Sequence, residues 1–254
     1  MPNQNLLIQS LDDFMSPKVV FISIVSFLIT IAIILFTLPF IFNNIGGIKD
    51  IIPEVYNWVN EILVSIESYP ILAFLFEHKI IMILFRYVLY FGFGIVGYYI
   101  FFGIYGFVIS FFAPMLIKHI QKKYHSEIEL KGIGLLPTGF FYIKTIIITI
   151  VLFLILSPTY LIPGLNFLIF LPLYYFFHKA LVFDVSSVIN TSKEYKRIKR
   201  ANWSELKGYT GLCFLITLVP IIGILAYPYY VIYVGHYILN ETGELRHTDA
   251  FRSI

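Results

Sequence analysis

The chain alternates between long apolar runs and short polar segments. Residues 19–42 form a run of 24 residues without a charge, and residues 80–117 form a run of 38 residues whose only charge is Arg86. A helix of about 20 apolar residues crosses the hydrocarbon core of a bilayer, at ~1.5 Å rise per residue. Both runs are therefore predicted to be transmembrane helices, and the longer one must tilt, protrude or bend near Pro114.

Two later runs end at prolines before they reach that length. Residues 145–156 number twelve before Ser157-Pro158, and residues 211–219 number nine before Pro220. Twelve helical residues extend about 18 Å, against roughly 30 Å of hydrocarbon. These two runs are therefore predicted to enter the membrane without crossing it.

Each short run is followed by a proline-containing turn and a longer apolar run, at residues 167–183 and 221–239. The pattern predicts two half-penetrating helical hairpins, residues 145–183 and residues 208–239. Irregular backbone at membrane depth is stable only where protein or a water-filled cavity covers it. This favours a transport protein over one that is simply anchored.

Two further segments, one on each side of the first span, have apolar residues at helical spacing. In residues 5–15 the opposite, polar face carries Asp12 and Asp13, and in residues 48–66 the polar face carries Glu54. Such segments are typical of amphipathic helices that lie in the membrane interface.

The distribution of lysine and arginine predicts the orientation. Residues 43–79 hold two basic and five acidic residues, whereas residues 118–144 hold five lysines and residues 184–207 hold six basic residues. Because cytoplasmic loops carry the excess of basic residues, residues 43–79 are predicted to be extracytoplasmic. The other loops and both termini are predicted to be cytoplasmic.

We therefore predict an all-α integral membrane protein, with two long transmembrane helices, two half-penetrating hairpins and amphipathic surface helices in a single membrane domain of residues 1–254. Its predicted segments are an interfacial helix (1–18), the first span (19–42), an extracytoplasmic segment (43–79), the second span (80–117), a cytoplasmic link (118–144), hairpin 1 (145–183), a basic cytoplasmic link (184–207), hairpin 2 (208–239) and a cytoplasmic tail (240–254).

Composition argues against several classes of function. Hydrophobic residues make up 59% of the chain and charged residues 13%, which leaves no room for a separate soluble enzyme domain. Cys213 is the only cysteine and the six histidines are scattered, so neither an intramolecular disulfide nor a metal site is expected. No catalytic or nucleotide-binding motif occurs, and we expect neither an enzyme nor a cofactor. The basic residues at 193–200 are expected to rest on anionic lipid rather than to bind nucleic acid.

Several short motifs follow one another in a recognisable order. Phe112-Ala113-Pro114 ends the second span, Ile162-Pro163-Gly164 and Val219-Pro220-Ile221-Ile222 lie at the hairpin turns, and Asp184 precedes a basic helix at 192–200. In these features the chain resembles the CysZ sulfate-permease family and the related etoposide-induced membrane proteins. The resemblance implies two long transmembrane helices, two half-penetrating hairpins, homo-oligomeric assembly and sulfate passage across a bacterial inner membrane.

The chain departs from that family where the first span begins. Aligned on Pro17, the family's sulfate-binding arginine pair falls on Val20 and Phe21, with Lys18 nearby. A sulfate dianion in a low dielectric needs paired charge or many hydrogen-bond donors. The side chains of Val20 and Phe21 supply neither.

The candidate ligand-binding residues lie at the hairpin turns and at the entrance to the first span: Lys18, Pro163, Gly164, Asn166, Pro220 and Gly223. The turns could present helix-terminal N–H groups to an anion, with Asn166 as a further donor or acceptor. The alternative is that they are tight turns and that Asn166 caps a helix. Lys18 could hold an anion or anchor the helix to lipid headgroups.

The preferred interpretation is a membrane permease or channel for a small oxyanion, with sulfate as the leading candidate by resemblance. Its expected partners are membrane lipids, the anion and further copies of the chain. The alternative is a non-transporting membrane-organising or adaptor protein, whose amphipathic helices and basic link bind lipids or partner proteins.

Overall fold

The computed structural model describes residues 3–44, 79–161 and 165–252, together with Pro53, Asn57 and Glu61. These residues are predominantly helical, and no strand occurs among them. The prediction of an all-α protein is confirmed. The predicted surface helix at 48–66 lies outside the described residues, apart from the three named above.

The described part of the chain forms these α-helices, in order: α1 (Asn3–Phe14), α2 (Pro17–Asn44), α3 (Lys79–Tyr124), α4 (Leu135–Leu156), α5 (Phe170–Ile189), α6 (Ser192–Ala201), α7 (Trp203–Thr217), α8 (Pro220–Leu225) and α9 (Tyr227–Arg252). Two 3₁₀ helices, Ser157–Leu161 and Asn166–Ile169, lie between α4 and α5. Pro17 and Pro220 each open a helix, where the missing N–H has no intrahelical partner to lose.

Four helical segments are long and apolar enough to cross a membrane: Pro17–Thr37, Gly97–Tyr124, Leu135–Thr159 and Phe167–Ile189. The first two overlap the predicted spans. The other two overlap predicted hairpin 1, where the length expected for the first limb was too short. Helix α4 begins at Leu135 and has 22 residues, which extend about 33 Å. The apolar run starts only at Thr145, but backbone hydrogen bonds rather than hydrophobicity determine where a helix begins.

The chain divides into two compact units, one formed by Met1–Ser26 with Gly106–Ile254 and the other by Phe27–Tyr105. In the larger unit α9 is the central helix, because it packs against α1, α5, α6, α7 and α8. Its buried side chains include Tyr230, Ile232 and Ile238. In the smaller unit the rings of Phe27 and Phe101 lie 5.7 Å apart.

Candidate functional site

A buried carboxylate, Asp184, lies where α3, α4 and α5 meet. The residue is 6% exposed, and both oxygens accept hydrogen bonds: Oδ2 from the hydroxyl of Ser110 at 2.5 Å and Oδ1 from the hydroxyl of Tyr142. Ser110 belongs to α3 and Tyr142 to α4, so one side chain joins three helices. Burial of a charge in a low-dielectric interior requires partners of this kind.

Gly106 allows a close approach between α3 and the start of α9 near this carboxylate. A Cβ atom at this position would lie 3.0 Å from two ring carbons and from the hydroxyl oxygen of Tyr227. The Tyr227 side chain is buried and lies close enough to Asp184 to interact with it electrostatically. The absence of a side chain at Gly106 therefore lets an aromatic ring close the site from the α9 side.

A second polar contact joins α5 and α7. His178 Nδ1 of α5 lies 2.7 Å from Thr210 Oγ1 of α7, and the Thr210 hydroxyl itself donates to the carbonyl of Leu206 at 2.8 Å. Because a hydroxyl has only one hydrogen, His178 must donate through Nδ1. The Tyr174 hydroxyl donates to the carbonyl of Lys207 at 2.9 Å. These bonds hold α5 and α7 together through buried or partly buried groups.

A third cluster fixes the N-terminal helix. Asp13 of α1 is completely buried and accepts hydrogen bonds from Lys123 Nζ at 2.7 Å and from the Tyr124 hydroxyl at 3.2 Å, both at the end of α3. Its other oxygen lies 2.8 Å from Nε2 of His236 in α9. One carboxylate thus joins α1, α3 and α9.

Near the surface, Glu194 connects α6 to α9. It completes a capping box with Thr191 at the start of α6, and Arg246 donates to it through Nε at 2.8 Å. Burial opposes its ionisation, but the hydrogen bonds from Arg246 and Thr191 outweigh this and lower the pKa of Glu194 to about 2. The ionised form is therefore the one that the fold stabilises.

The chemistry available in these clusters is hydrogen bonding and charge pairing. Within the described part of the chain, no three histidine, cysteine, aspartate or glutamate side chains come together as metal ligands. The Ser110 and Tyr142 hydroxyls both donate to Asp184. These two donors are therefore occupied and not directed at a ligand.

The comparison with known families adds to this geometry. Residues 6–228 match the family described as sulfate transporter CysZ/etoposide-induced protein 2.4. The chain belongs to this family. The match covers α1 to the start of α9 and confirms the resemblance drawn from the hairpin motifs. No match was found among curated proteins or among solved structures.

Among the residues that the structure describes, those predicted to bind ligand in this CysZ-family chain do not form one cluster. Lys18 is exposed in the first turn of α2, Pro220 is exposed at the start of α8, and Gly223 is buried within α8. Asn166 opens a 3₁₀ helix, and its side chain lies outside what is described, as do Pro163 and Gly164. No hydrogen bond joins Lys18, Pro220 and Gly223 to one another among the described residues.

Sequence reasoning missed the partners of the buried carboxylates. The amphipathic pattern of α1 places Asp13 on a polar face, yet Leu6, Ser10 and Asp13 form the buried stripe of this helix. The apolar residues Ile8 and Leu11 are exposed instead. For the Asp13 cluster the only signal in the sequence was His236, a histidine in an otherwise apolar run. Asp184 was indicated by the family resemblance.

Proposed function

We propose that this chain is a membrane permease or channel for a small oxyanion, with sulfate as the first candidate. The observation that carries the proposal is the match to the sulfate transporter CysZ family over residues 6–228. Four apolar helices of membrane-spanning length accompany that match. The process is passage of an intact ion, which requires a path and compensating charge but no covalent step.

In this proposal the second hairpin is half-penetrating. Helix α7 has 15 residues and extends about 22 Å, less than the roughly 30 Å of a hydrocarbon core. It ends at Thr217, and α8 starts in a new direction at Pro220 before α9 returns. A short helix followed by a proline-led turn supports a segment that enters the membrane and leaves on the same side.

The first hairpin requires a different argument, because α4 is long enough to cross. Its first half carries Tyr142 and the exposed Lys144, and the last third of α5 carries Asp184, which accepts the hydrogen bond of Tyr142. After Lys144, residues 145–156 of α4 contain no charged residue. Twelve residues of α4 then remain for the hydrocarbon, about 18 Å of helix, which supports partial penetration.

The surface of α4 supports contact with lipid and with further subunits. Its only buried residues are Thr145 and Thr149, whose hydroxyls donate to carbonyls four residues earlier. Large apolar side chains such as Ile147, Leu154 and Ile155 are exposed. A homo-oligomer in a bacterial inner membrane, with both termini cytoplasmic, would cover part of this surface and shield the irregular backbone at the hairpin turns.

The anion would meet backbone N–H groups at the two turns and Lys18 at the cytoplasmic entrance. At the second turn the donors would be Ile221 and Ile222, because Pro220 has no N–H and that of Gly223 donates to the carbonyl of Val219 at 2.7 Å. Backbone donors suit an oxyanion because they do not titrate and are held by the fold. Lys18 is exposed, and within the described residues it forms no ion pair with a carboxylate. This leaves its charge available to an anion.

Flux measurement in liposomes tests the proposal. Vesicles that contain the purified chain should release labelled sulfate faster than empty vesicles, and Lys18→Gln should slow the release several-fold because it removes a charge at the entrance. Lys122→Gln, which removes an exposed lysine elsewhere, is the matched control. Equal release from loaded and empty vesicles, for sulfate and for other small oxyanions alike, would reject a permease.

One observation favours the second candidate, a membrane-organising or adaptor protein. Helix α1 is held through Asp13 with its apolar residues Leu7, Ile8, Leu11 and Met15 exposed, as in a helix that inserts into an interface. In that case the chain would bind vesicles without increasing their permeability to any anion. The same liposome experiment, with vesicle binding measured alongside release, separates the two functions.

A further inference from the structure

Two lysines from different helices lie over the ring of one exposed tryptophan, and a third lysine lies beside one of them. Lys179 Nζ of α5 lies 4.8 Å from the ring centre of Trp203, and Lys207 Nζ of α7 lies 4.4 Å from the same centre. Lys199 of α6 lies beside Lys179, with its side-chain nitrogen in hydrogen-bonding range of that of Lys179. We call Lys179, Lys199, Lys207 and Trp203 the lysine–tryptophan cluster.

The cluster carries three positive charges without a counter-charge. Within residues that the structure describes, every ion pair involves other groups, and none includes a carboxylate bound to these three lysines. A cation above an aromatic ring is favourable, but two cations on one ring and a third beside them repel each other. An arrangement of this kind is stabilised when an anion binds among the ammonium groups.

The neighbouring surface indicates what kind of anion fits. His178 contacts Trp203 while Tyr174, earlier in α5, contacts Phe214, later in α7. Helices α5 and α7 therefore run antiparallel, so Lys179, in the middle of α5, lies beside the start of α7.

Each of these two helices carries an apolar residue farther along the same face. Leu171 lies eight residues before Lys179 and Leu215 lies eight residues after Lys207, which places each pair on one side of its helix. Leu171 is 52% exposed and Leu215 is 62% exposed. The surface is thus cationic and aromatic at one end and apolar at the other, over the depth at which a membrane changes from headgroup to acyl chain.

We propose that the lysine–tryptophan cluster binds the phosphate of an anionic phospholipid, with the acyl chains lying along Leu171 and Leu215. The phosphate would lie among the three ammonium groups, and Trp203 would lie at headgroup level. A free oxyanion has the same charge chemistry but has no use for the exposed leucines. This site is separate from the hairpin turns, and it does not depend on whether the chain transports anything.

Quenching of Trp203 fluorescence by brominated lipid tests the site. The chain has two tryptophans, Trp58 and Trp203, so a Trp58→Phe background isolates the signal. The full-length protein is placed in nanodiscs of phosphatidylcholine that contain a minor fraction of brominated lipid, either phosphatidylglycerol or phosphatidylcholine. We expect brominated phosphatidylglycerol to quench Trp203 more strongly at equal mole fraction.

Variants assign that preference to the lysines. One lysine near an anionic surface changes lipid partitioning roughly fivefold, so K179Q/K199Q/K207Q should reduce the phosphatidylglycerol preference more than about tenfold. The control K118Q/K122Q/K144Q removes the same charge from exposed lysines of α3 and α4, outside both the cluster and the basic segment at 193–200, and should change the preference at Trp203 less than about twofold. K179R/K199R/K207R should keep it, which shows that charge and not folding is responsible.

Two outcomes would overturn the proposal. Equal quenching by both brominated lipids would show that the cluster does not select an anionic headgroup. Loss of the preference when sulfate or inorganic phosphate replaces chloride at constant ionic strength would assign the cluster to a soluble anion instead of a lipid.

Discussion

Helices α4 and α9 differ in how much of their surface is buried against the rest of the protein. In α4 only Thr145 and Thr149 are buried, and many large apolar side chains, such as Ile147 and Leu154, are exposed. In α9, apolar residues such as Val231, Val234 and Leu239 are completely buried. Hydrophobicity alone therefore does not tell which residues form the protein core in a membrane chain.

The difference indicates where stability resides. Inside α9 a substitution changes packing between helices, whereas on the outer face of α4 it changes only contact with lipid or with another subunit. Lipid tails are as apolar as leucine, so the outer face gains little from protein contacts. Substitutions in the contacts of α9 should thus cost more free energy of unfolding than substitutions on α4.

The largest effect is expected at the carboxylate that joins α1 to α9. Asp13→Ala removes the partner of His236 and Lys123 in a completely buried site, and loss of one member of a buried pair costs about 3–5 kcal/mol. The free energy of unfolding in detergent micelles measures it. Asp12→Ala, an exposed neighbour on the same helix, is the control. If both substitutions cost less than about 0.5 kcal/mol, the contacts of Asp13 do not fix α1 to α3 and α9.

A smaller loss is expected at the outer end of α9. Arg246 donates to Glu194 at 2.8 Å, to the carbonyl of Glu129 at 2.6 Å and to that of Ile189 at 3.3 Å. Arg246→Gln should cost about 2–3 kcal/mol, since hydrogen bonds to charged groups contribute more than neutral ones. Arg200→Gln, at an exposed arginine of α6, should be nearly neutral in the same assay. Equal effects of the two substitutions would contradict this role of Arg246.

The same contact should make stability depend on pH. The folded state lowers the pKa of Glu194 to about 2 from its usual 4.5, so its contribution is complete above about pH 4.5 and is lost as the pH falls towards 2. Unfolding of the wild type and of Glu194→Gln is compared from about pH 6 to about pH 3. The wild-type advantage, about 1–2 kcal/mol after allowance for solvent screening, should shrink on acidification. A difference that stays constant with pH would contradict the assignment.

Much of this architecture could be predicted from the sequence because it depends on local patterns. Run length gave the first two spans, and the order of proline motifs gave the family. The start of α4 at Leu135 could not be predicted in this way, since residues 135–144 are helical without being part of the apolar run.

The polar clusters were harder to predict because their members are far apart in sequence. Asp13 and His236 are 223 positions apart, and Ser110 and Asp184 are 74 apart. Nothing in the periodicity of either helix shows that such residues meet. The amphipathic pattern of α1 separates Asp13 from the apolar face, but it does not show that the polar face packs against protein.

The smallest change in the free energy of unfolding is expected for a glycine-to-alanine substitution made once in α4 and once in α9. This pair also gives the most direct comparison of the two helices. A Cβ at Gly235 of α9 would lie 2.7 Å from Ile117 Cδ1 and 2.9 Å from Ile120 Cδ1, two completely buried side chains. A Cβ at Gly139 of α4 would have no side chain and no atom of another segment within 4 Å, apart from its chain neighbours. Gly235→Ala should lower the free energy of unfolding by about 1 kcal/mol through overpacking, whereas Gly139→Ala should raise it by about 0.5–1 kcal/mol through helix propensity.

The sign of the change decides this comparison, because both substitutions add the same methyl group and gain the same intrinsic helix propensity. Any difference between them therefore comes from the surroundings of the two glycines. Gly235→Val, with a larger side chain, should extend the loss at α9 to about 2–3 kcal/mol. If Gly235→Ala and Gly139→Ala changed the unfolding free energy in the same direction, α9 would not be packed more tightly against protein than α4.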